Sequence, residues 1–322
     1  MRRRTVVTGA SALLLARSVP AQAGYPSHPL RYIVPVAAGG GSDLVGRTVC
    51  ERWSRLLGQT IVVDNIGGGG GAIASTTTAH AAPDGYTLMQ GYVATHATSP
   101  ATRKLAYDPV RDFTPIGMIG GTPNVLVVSP SLKLSTLDAF VAYLRSHPGQ
   151  LSYGSSGVGS LTQLAFELFK QTSRTFVVHV PYRGIAPAIN DVLAGQTQAM
   201  FPGLAAALPF IKAGQLVPLA VTGSQRHRLL PQVPTLVESG YQDMDSVQWY
   251  GVVGPAGMAP AIVRQLNETL AAVLGAPDLR DKLLSEALEP MPMSPTQFAA
   301  YMAADLARWT RVARERGIQV DS

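Results

Sequence analysis

Charge is scarce in this chain. Only 14% of its 322 residues are Asp, Glu, Lys or Arg, against about 25% in ordinary soluble domains. Much of the surface must then be Ser, Thr, Gln and Gly. Cysteine is rarer still: Cys50 alone excludes an intrachain disulfide and any thiolate metal site, and leaves it a packing role on the first helix. The six histidines are scattered with no pair four apart, so no helical metal motif is present and no metal is expected. There is no Gly-Lys pair for a phosphate loop. A nucleophile elbow needs Gly-x-Ser-x-Gly, and Gly154-Ser155-Ser156-Gly157 sets its second glycine one place early. Gly67-x-Gly69-x-x-Ala72 imitates a dinucleotide fingerprint, but no acidic residue ends a strand about 20 residues later. No cofactor is expected.

Long apolar runs are missing too. Thr5 to Ala16 is too short for a bilayer, which takes about 20 residues. Preceded by Arg2-Arg3-Arg4 and followed by Ala21-Gln22-Ala23, it reads as a signal peptide over 1–23, exported by either the general or the twin-arginine route. Four of the 26 basic residues lie in that leader, leaving 22 against 20 acidic ones. Such a balance gives no electrostatic footprint for nucleic acid. The expectation is an exported, periplasmic, soluble protein of 299 residues, long enough for two domains.

What is present is alternation of short strands and amphipathic helices, the pattern of α/β folds with parallel sheets. Leu30 to Val36 predicts a strand ending at Gly39-Gly40-Gly41. The helix after it, capped by Ser42 or Asp43, turns Val45, Val49, Trp53, Leu56 and Leu57 inward. Thr60 to Val63 is the next strand, and Gly67 to Gly71 open an Ala/Thr-rich helix. Further strands are predicted at Tyr86–Met89, Pro123–Val128, Gln198–Phe201, Val217–Val221 and Trp249–Val253. Ser135 to Asp138 resembles a capping box for a helix reaching Ser146. Other helices are predicted after Ser160, at Ile185–Leu193, Leu204–Ala213 and Val263–Leu274, and from Thr296 to Arg316. No heptad or apolar interface segment argues against a monomer.

Two loops carry the chemistry. Gly39-Gly40-Gly41-Ser42-Asp43 and Gly154 to Ser160 each join a strand to a helix and offer backbone N–H groups at a helix N-terminus, which suits an anion. Glycines let backbone approach a ligand closely, and Ser155, Ser156, Ser160 and Thr162 add hydroxyls. Each loop alone is equally well a turn and a cap; together they point to binding. Asp43 caps its helix and has a secondary ligand role, and His96, following a strand, could reach the same cleft. The alternative is an exported serine hydrolase using the Gly154–Gly157 loop, for which the sequence offers no convincing base.

From Tyr25 to Ile318 the chain resembles the Bug/TctC family, extracytoplasmic solute receptors of tripartite tricarboxylate transporters. The likeness rests on Tyr25-Pro-Ser-His-Pro-Leu-Arg31, Val34-Pro35 with Gly39-Gly-Gly-Ser-Asp43, Ala82-Pro-Asp-Gly-Tyr-Thr-Leu88 and Asp108-Pro-Val-Arg-Asp-Phe113. Pro123 to Val128, Tyr153-Gly-Ser-Ser-Gly157, His179-Val-Pro-Tyr-Arg-Gly184, Leu219-Ala-Val-Thr222 and Val233-Pro-Thr-Leu236 continue it in order. The resemblance implies a two-lobe Venus-flytrap fold with the ligand cleft between lobes, 24–122 plus 246–322 forming lobe 1 and 123–245 lobe 2. It implies a small carboxylate ligand, delivered to membrane permease subunits or a sensor protein, and no catalysis. The ligand would meet Ala38, Gly40, Gly41 and Asp43, then Tyr92, Thr95 and His96, and in lobe 2 Ser155, Ser156, Gly157, Ser160 and Pro202. Three departures stand out: Val36-Ala37-Ala38 replace an aromatic residue and prolines, Pro202-Gly203 stand where Asp or Asn is common, and Thr162-Gln163 replace a residue followed by His. Together they imply a retained carboxylate clamp with altered reading of the ligand's far end, toward a less polar ligand.

Overall fold

A computed structural model of the chain describes residues 24–39 and 41–320. The signal peptide expected over 1–23 and the contact expected at Gly40 lie outside the described residues.

β1 (Leu30–Val34) is a β-branched run buried on both faces apart from Arg31, as a central parallel strand requires. α1 (Gly41–Leu57) follows. Val45, Val49, Trp53 and Leu57 form its inner face with Cys50, whereas Leu56 is half exposed. One residue earlier than Leu57 is 100° around the helix, which turns Leu56 off the apolar stripe and corrects that expectation. β2 (Ile61–Asn65), α2 (Ala72–Ala79) and β3 (Thr87–Tyr92) complete a parallel β2-β1-β3 unit. A short helix α3 (Ser99–Thr102) precedes β4 (Phe113–Pro123).

β4 was not expected, because Phe113-Thr-Pro-Ile-Gly-Met-Ile-Gly-Gly-Thr-Pro123 looks like a loop. Its glycines are close-approach positions. A Cβ on Gly117 would stand 2.7 Å from Asn267, and one on Gly121 2.7 Å from Val247. Pro115 falls where the register with the partner strand shifts, a place that tolerates a missing donor.

The chain then passes through Asn124 into the second sheet. β5 (Val125–Val128) leads to α4 (Leu137–Ser146), β6 (Ser152–Ser155), α5 (Leu161–Ser173), β7 (Val178–Pro181) and α6 (Ile185–Leu193). β8 (Ala199–Met200), α7 (Leu204–Lys212) and β9 (Val217–Val221) finish that half. The cap of α4 is Thr136, whose hydroxyl accepts from Ala139 N–H, and not Ser135. β10 (Val247–Pro255) returns to the first sheet, followed by α8 (Pro260–Gly275), α9 (Pro277–Ser285), β11 (Glu289–Pro290) and α10 (Pro295–Glu315). α10 opens with a true capping box between Ser294 and Gln297 and buries Phe298, Met302 and Trp309.

The result is a two-lobe periplasmic-binding-protein fold. One sheet runs β11-β4-β10-β3-β1-β2, the other β7-β6-β8-β5-β9. At the crossing, Asn124 N–H donates to Thr222 Oγ1 and Thr222 N–H to Asn124 O, both at 2.8 Å. Asn124 Nδ2 also donates to Phe201 O at 2.8 Å. α10 returns to the second lobe, where Arg316 reaches the buried Glu167 of α5. Across this contact one apolar core runs through both lobes, from Met89, Trp249 and Phe298 to Phe166, Phe169 and Phe201.

Candidate functional site

Ligands of open α/β sheets bind beyond the carboxyl ends of the parallel strands. In the first lobe, β1, β2 and β3 end in three loops that converge there. After β1, Ala37, Ala38 and Gly39 are exposed and α1 begins at Gly41. Asp43, buried in the first turn, anchors this loop. Its carboxylate accepts from Gly39 N–H at 2.9 Å, from Asn65 Nδ2 at 2.9 Å and from Arg47 Nε at 2.9 Å. Burial pushes the Asp43 carboxyl up, but those donors together outweigh it and hold the group below the usual carboxylate range. Its contacts are thus spent on the protein itself.

After β2 comes the glycine run. Gly68, Gly69, Gly70 and Gly71 all have positive φ, from 57° to 116°, which only glycine adopts at little cost. A Cβ at Gly71 would stand 2.5 Å from Thr95 Cγ2 and 3.3 Å from Pro35 Cβ; one at Gly67 would stand 3.2 Å from Ala37 N. The run therefore seats the first loop against the third. Sequence reasoning treats it as a helix opener and sets aside its likeness to a dinucleotide fingerprint. The available signal is its place at the end of a parallel strand, next to another glycine loop.

After β3, residues Ala94–Thr98 make a π turn. Thr95 is fully buried and its hydroxyl closes the turn on Tyr92, accepting from Tyr92 N–H at 3.2 Å. His96 is also fully buried, edge-on to Phe113 at 4.7 Å, with Nδ1 2.8 Å from Thr95 Oγ1. Desolvation pulls its pKa down to about 3, so it stays neutral. Both residues lie under the loop. Tyr92 is half buried, with its ring parallel to Tyr250 at 6.3 Å.

The second lobe's loop, from β6 to α5, is wired by side chains. Ser160 caps α5, accepting from Gln163 N–H, and its hydroxyl donates to Gly157 O at 2.6 Å. Thr162 Oγ1 lies 2.9 Å from Ser160 Oγ, accepts from Ser156 N–H at 2.9 Å and lies 3.0 Å from Ser156 Oγ. With the Ser160 proton committed to Gly157, Thr162 donates to Ser160 and accepts from Ser156. Ser156, half buried, rests its hydroxyl proton on Thr162 Oγ1, and that proton can swing toward a bound group because Ser156 N–H continues to donate to the same oxygen.

Ser155 is fully buried, with Oγ 2.6 Å from His179 Nε2, and that pair is the candidate the sequence could not supply for a hydrolase. The hydrogen-bond network assigns the wrong tautomer for it. Gln163 Oε1 accepts from Gly159 N–H at 2.7 Å, which turns Gln163 Nε2 toward His179 Nδ1 at 3.2 Å. Nδ1 is then the acceptor and Nε2–H donates to Ser155, so the ring cannot take the serine proton. Burial lowers the His179 pKa to about 4, which keeps this neutral form. Gln163, marked in the sequence only as a departure, fixes both the loop and the histidine.

The lobes meet around these loops. A Cβ on Gly159 would stand 2.6 Å from Thr102 Oγ1 and 2.8 Å from Val320, and Val320 N–H donates to Thr102 O at 2.9 Å. At the other edge Pro202 is buried and its carbonyl accepts from Val125 N–H at 2.9 Å, while Gly203 caps α7 and faces Gln248. Pro202 brings no polar side chain to the cleft. Among the described residues no cluster of three or more His, Cys, Asp or Glu could hold a metal ion, and no helix is long and apolar enough to cross a membrane.

Comparison with known proteins agrees with this fold. Residues 45–318 match the model of the tripartite tricarboxylate transporter family receptor. Protein BugT of Bordetella pertussis is 32% identical over 302 residues, covering 92% of this chain and 91% of BugT. A solved R. palustris protein with adipate is 36% identical with a TM-score of 0.81, covering 92% of this chain and 99% of its own. MatC from Rhodopseudomonas palustris with bound malate is 31% identical with a TM-score of 0.76, covering 89% and 99%.

Proposed function

From the premise that the chain belongs to the tripartite tricarboxylate transporter receptor family, we propose that it captures a small carboxylate between its lobes. The carboxylate lies between the glycine loops of the first lobe and the N-terminus of α5. The observation that carries this is the α5 loop. Of its hydroxyl protons, that of Ser156 is the one that can leave its acceptor, Thr162 Oγ1, without stranding it, since Ser156 N–H still donates there, and it stands at a helix end that favours negative charge. Ala38 and Gly41 supply backbone from the facing lobe with the Gly67–Gly71 run, and Tyr92 supplies a wall. Asp43, Thr95, His96, Ser155, Gly157 and Ser160 hold those groups in place.

We read 24–122 plus 246–322 as lobe 1 and 123–245 as lobe 2; sheet membership supports this to within one residue, Pro123 still pairing with Val247 in the first sheet before the chain crosses at Asn124. Residues 1–23 direct export to the periplasm, where the mature monomer hands its ligand to permease subunits or a sensor. The tautomer of His179 supports a role without catalysis, and the serine hydrolase reading has nothing to carry it. Relatives solved with adipate and malate support the ligand class. Binding is closure of the two lobes, driven by the ligand's preference for the closed form.

The test is thermal unfolding of refolded, ligand-free mature protein against small carboxylates and their matched amides. An acid at about 100 times its Kd should add about 2.7 kcal/mol of stability. Equal shifts for acid and amide would sink the carboxylate claim.

A further inference from the structure

At one edge of the cleft a side chain of the first lobe takes the place of one the second lobe lacks. Gly203 is buried at the start of α7. A Cβ there would stand 3.2 Å from Gln248 Oε1 and 3.9 Å from Thr122 Cγ2. Gln248, half buried on β10, therefore fills the space a second-lobe side chain would use. Pro202 and Gly203 bring no polar side chain to this edge, and the Gln248 amide stands there instead. Gln248 lies opposite Thr122 of β4, so the two share a face of the sheet, and Tyr250, two residues on, shares it too. The Tyr250 ring is parallel to that of Tyr92, at the end of β3. A row of Tyr92, Tyr250 and Gln248 thus leads from the first lobe's loops to the start of α7.

Hydrogen bonding along this row is incomplete. Gln248 Nε2 donates to Tyr250 Oη, which leaves the phenol proton and Gln248 Oε1 to spare. Burial raises the Tyr250 pKa, so the phenol keeps that proton. With the amide turned the other way, the phenol donates to Oε1, and Nε2 and Oη are the groups to spare. In either orientation the pair offers one donor and one acceptor, and no charge. Beside it Thr122, only 3% exposed, has a buried hydroxyl with no partner among the described residues. We infer that Gln248 and Tyr250 read a hydroxyl group on the body of the captured carboxylate, and that the favoured ligand is a hydroxy acid. The inference rests on the receptor reading above. A hydroxyl donates and accepts at one atom, so it satisfies both spare groups together. A carbonyl or carboxylate oxygen only accepts, and a methylene leaves both stranded. The choice between hydroxyl and methylene is independent of any second carboxylate, for which the exposed Lys282 of α9 offers a cation.

Calorimetric titration of refolded mature protein with acids that differ by one hydroxyl tests this. The pairs are malate and succinate, 3-hydroxybutyrate and butyrate, and 6-hydroxyhexanoate and hexanoate. In the pair whose hydroxyl reaches Gln248, the hydroxy acid should bind on the order of tenfold more tightly, the net worth of one good hydrogen bond. Gln248→Leu and Tyr250→Phe, both close in shape to the residues they replace, should each erase that preference. A merely structural role for either residue would lower the affinity of both members of a pair and leave their ratio unchanged. Equal affinities within every pair, or a preference that survives both substitutions, overturns the reading of a hydroxyl and leaves the receptor reading intact. Amides of these acids binding as tightly as the acids, or no binding by any of the six, overturns the receptor reading itself.

Discussion

The two loops that flank the cleft do the same job by opposite means. In the first lobe the proposed binding surface is backbone, held from beneath: glycines line it, and one buried carboxylate, Asp43, ties Gly39, Arg47 and Asn65 together. In the second lobe the proposed surface is side chain, held sideways by Ser160, Thr162, Gln163 and His179. A backbone site has nothing to lose to a side-chain substitution unless its anchor goes. A hydroxyl web can lose one member and keep its shape. The difference teaches where each lobe is vulnerable, and substitutions can break or sharpen it.

The largest effect is expected where the second lobe's support is shared with the first. Glu167, on α5, accepts from Lys170 at 2.6 Å and Tyr153 Oη at 2.7 Å, and pairs with Arg316 from the end of α10 at 2.8 Å. Lys170 is itself buried. Glu167→Gln leaves that ammonium without a counter-charge, and breaking a buried pair costs about 3–5 kcal/mol. Urea unfolding at neutral pH measures it, and a loss below about 1 kcal/mol, the range of an exposed pair, would show that the lobes do not depend on this contact. Burial pushes the Glu167 carboxyl up, but Lys170, Tyr153 and Arg316 outweigh it and leave it lowered. A carboxylate lowered on folding stabilises above its unfolded pKa of about 4.3. That contribution fades as pH falls through the lower folded value. The Gln variant should therefore lack this part of the wild-type acid transition.

How far the sequence reveals each loop follows the same division. Helix caps and apolar periodicity are local, so α6 at Ile185–Leu193 and β9 at Val217–Val221 match their expected spans. β4 was hidden because its glycines answer to α8 and β10, distant in sequence. The Gly154–Ser160 loop is visible as a strand-to-helix turn, but the division of labour inside it depends on His179, 24 residues from Ser155, and no local pattern announces that pairing. His96 lies fully buried, where its position after a strand suggested the cleft, because the π turn rotates it toward Phe113. The glycine run after β2 is plain in the sequence, but its task is not, since which loop it supports is decided by packing on Pro35 and Thr95.

An intermediate effect should come from the first lobe's anchor. Asp43→Asn keeps the shape but removes the charge that strengthens its bonds to Gly39, Asn65 and Arg47. Hydrogen bonds to charged groups are worth about 1.5–3 kcal/mol; half of Arg47 is solvated, so the lower end applies. The expected outcome is a loss of about 1.5 kcal/mol in urea unfolding together with weaker ligand binding, because Gly39 is released. Asp43 is lowered on folding, so the wild type loses this contribution in acid, and the difference between wild type and variant should vanish at low pH. A difference that persists there would mean that the amide fails by shape and not by charge.

The smallest effects separate two serines four residues apart. Ser160 is the cap of α5, and removing a capping hydroxyl costs about 1 kcal/mol. It also removes one of the three donors on Gly157 O and leaves Thr162 without the acceptor it donates to. Ser156 contributes no cap, and its N–H bond to Thr162 Oγ1 survives truncation of its side chain. Ser156→Ala should therefore unfold within about 0.5 kcal/mol of wild type while losing about tenfold in carboxylate affinity, the equivalent of about 1.4 kcal/mol. Ser160→Ala should show the reverse emphasis, with stability falling first and affinity following only as far as the helix end loosens. Paired unfolding and titration on the two variants decide the point. If both lose affinity equally at equal stability, the hydroxyl proton has not been assigned to the right serine. If Ser156→Ala alone loses affinity, the second lobe reads its ligand through a single movable proton, while every other hydroxyl in the web serves to aim it.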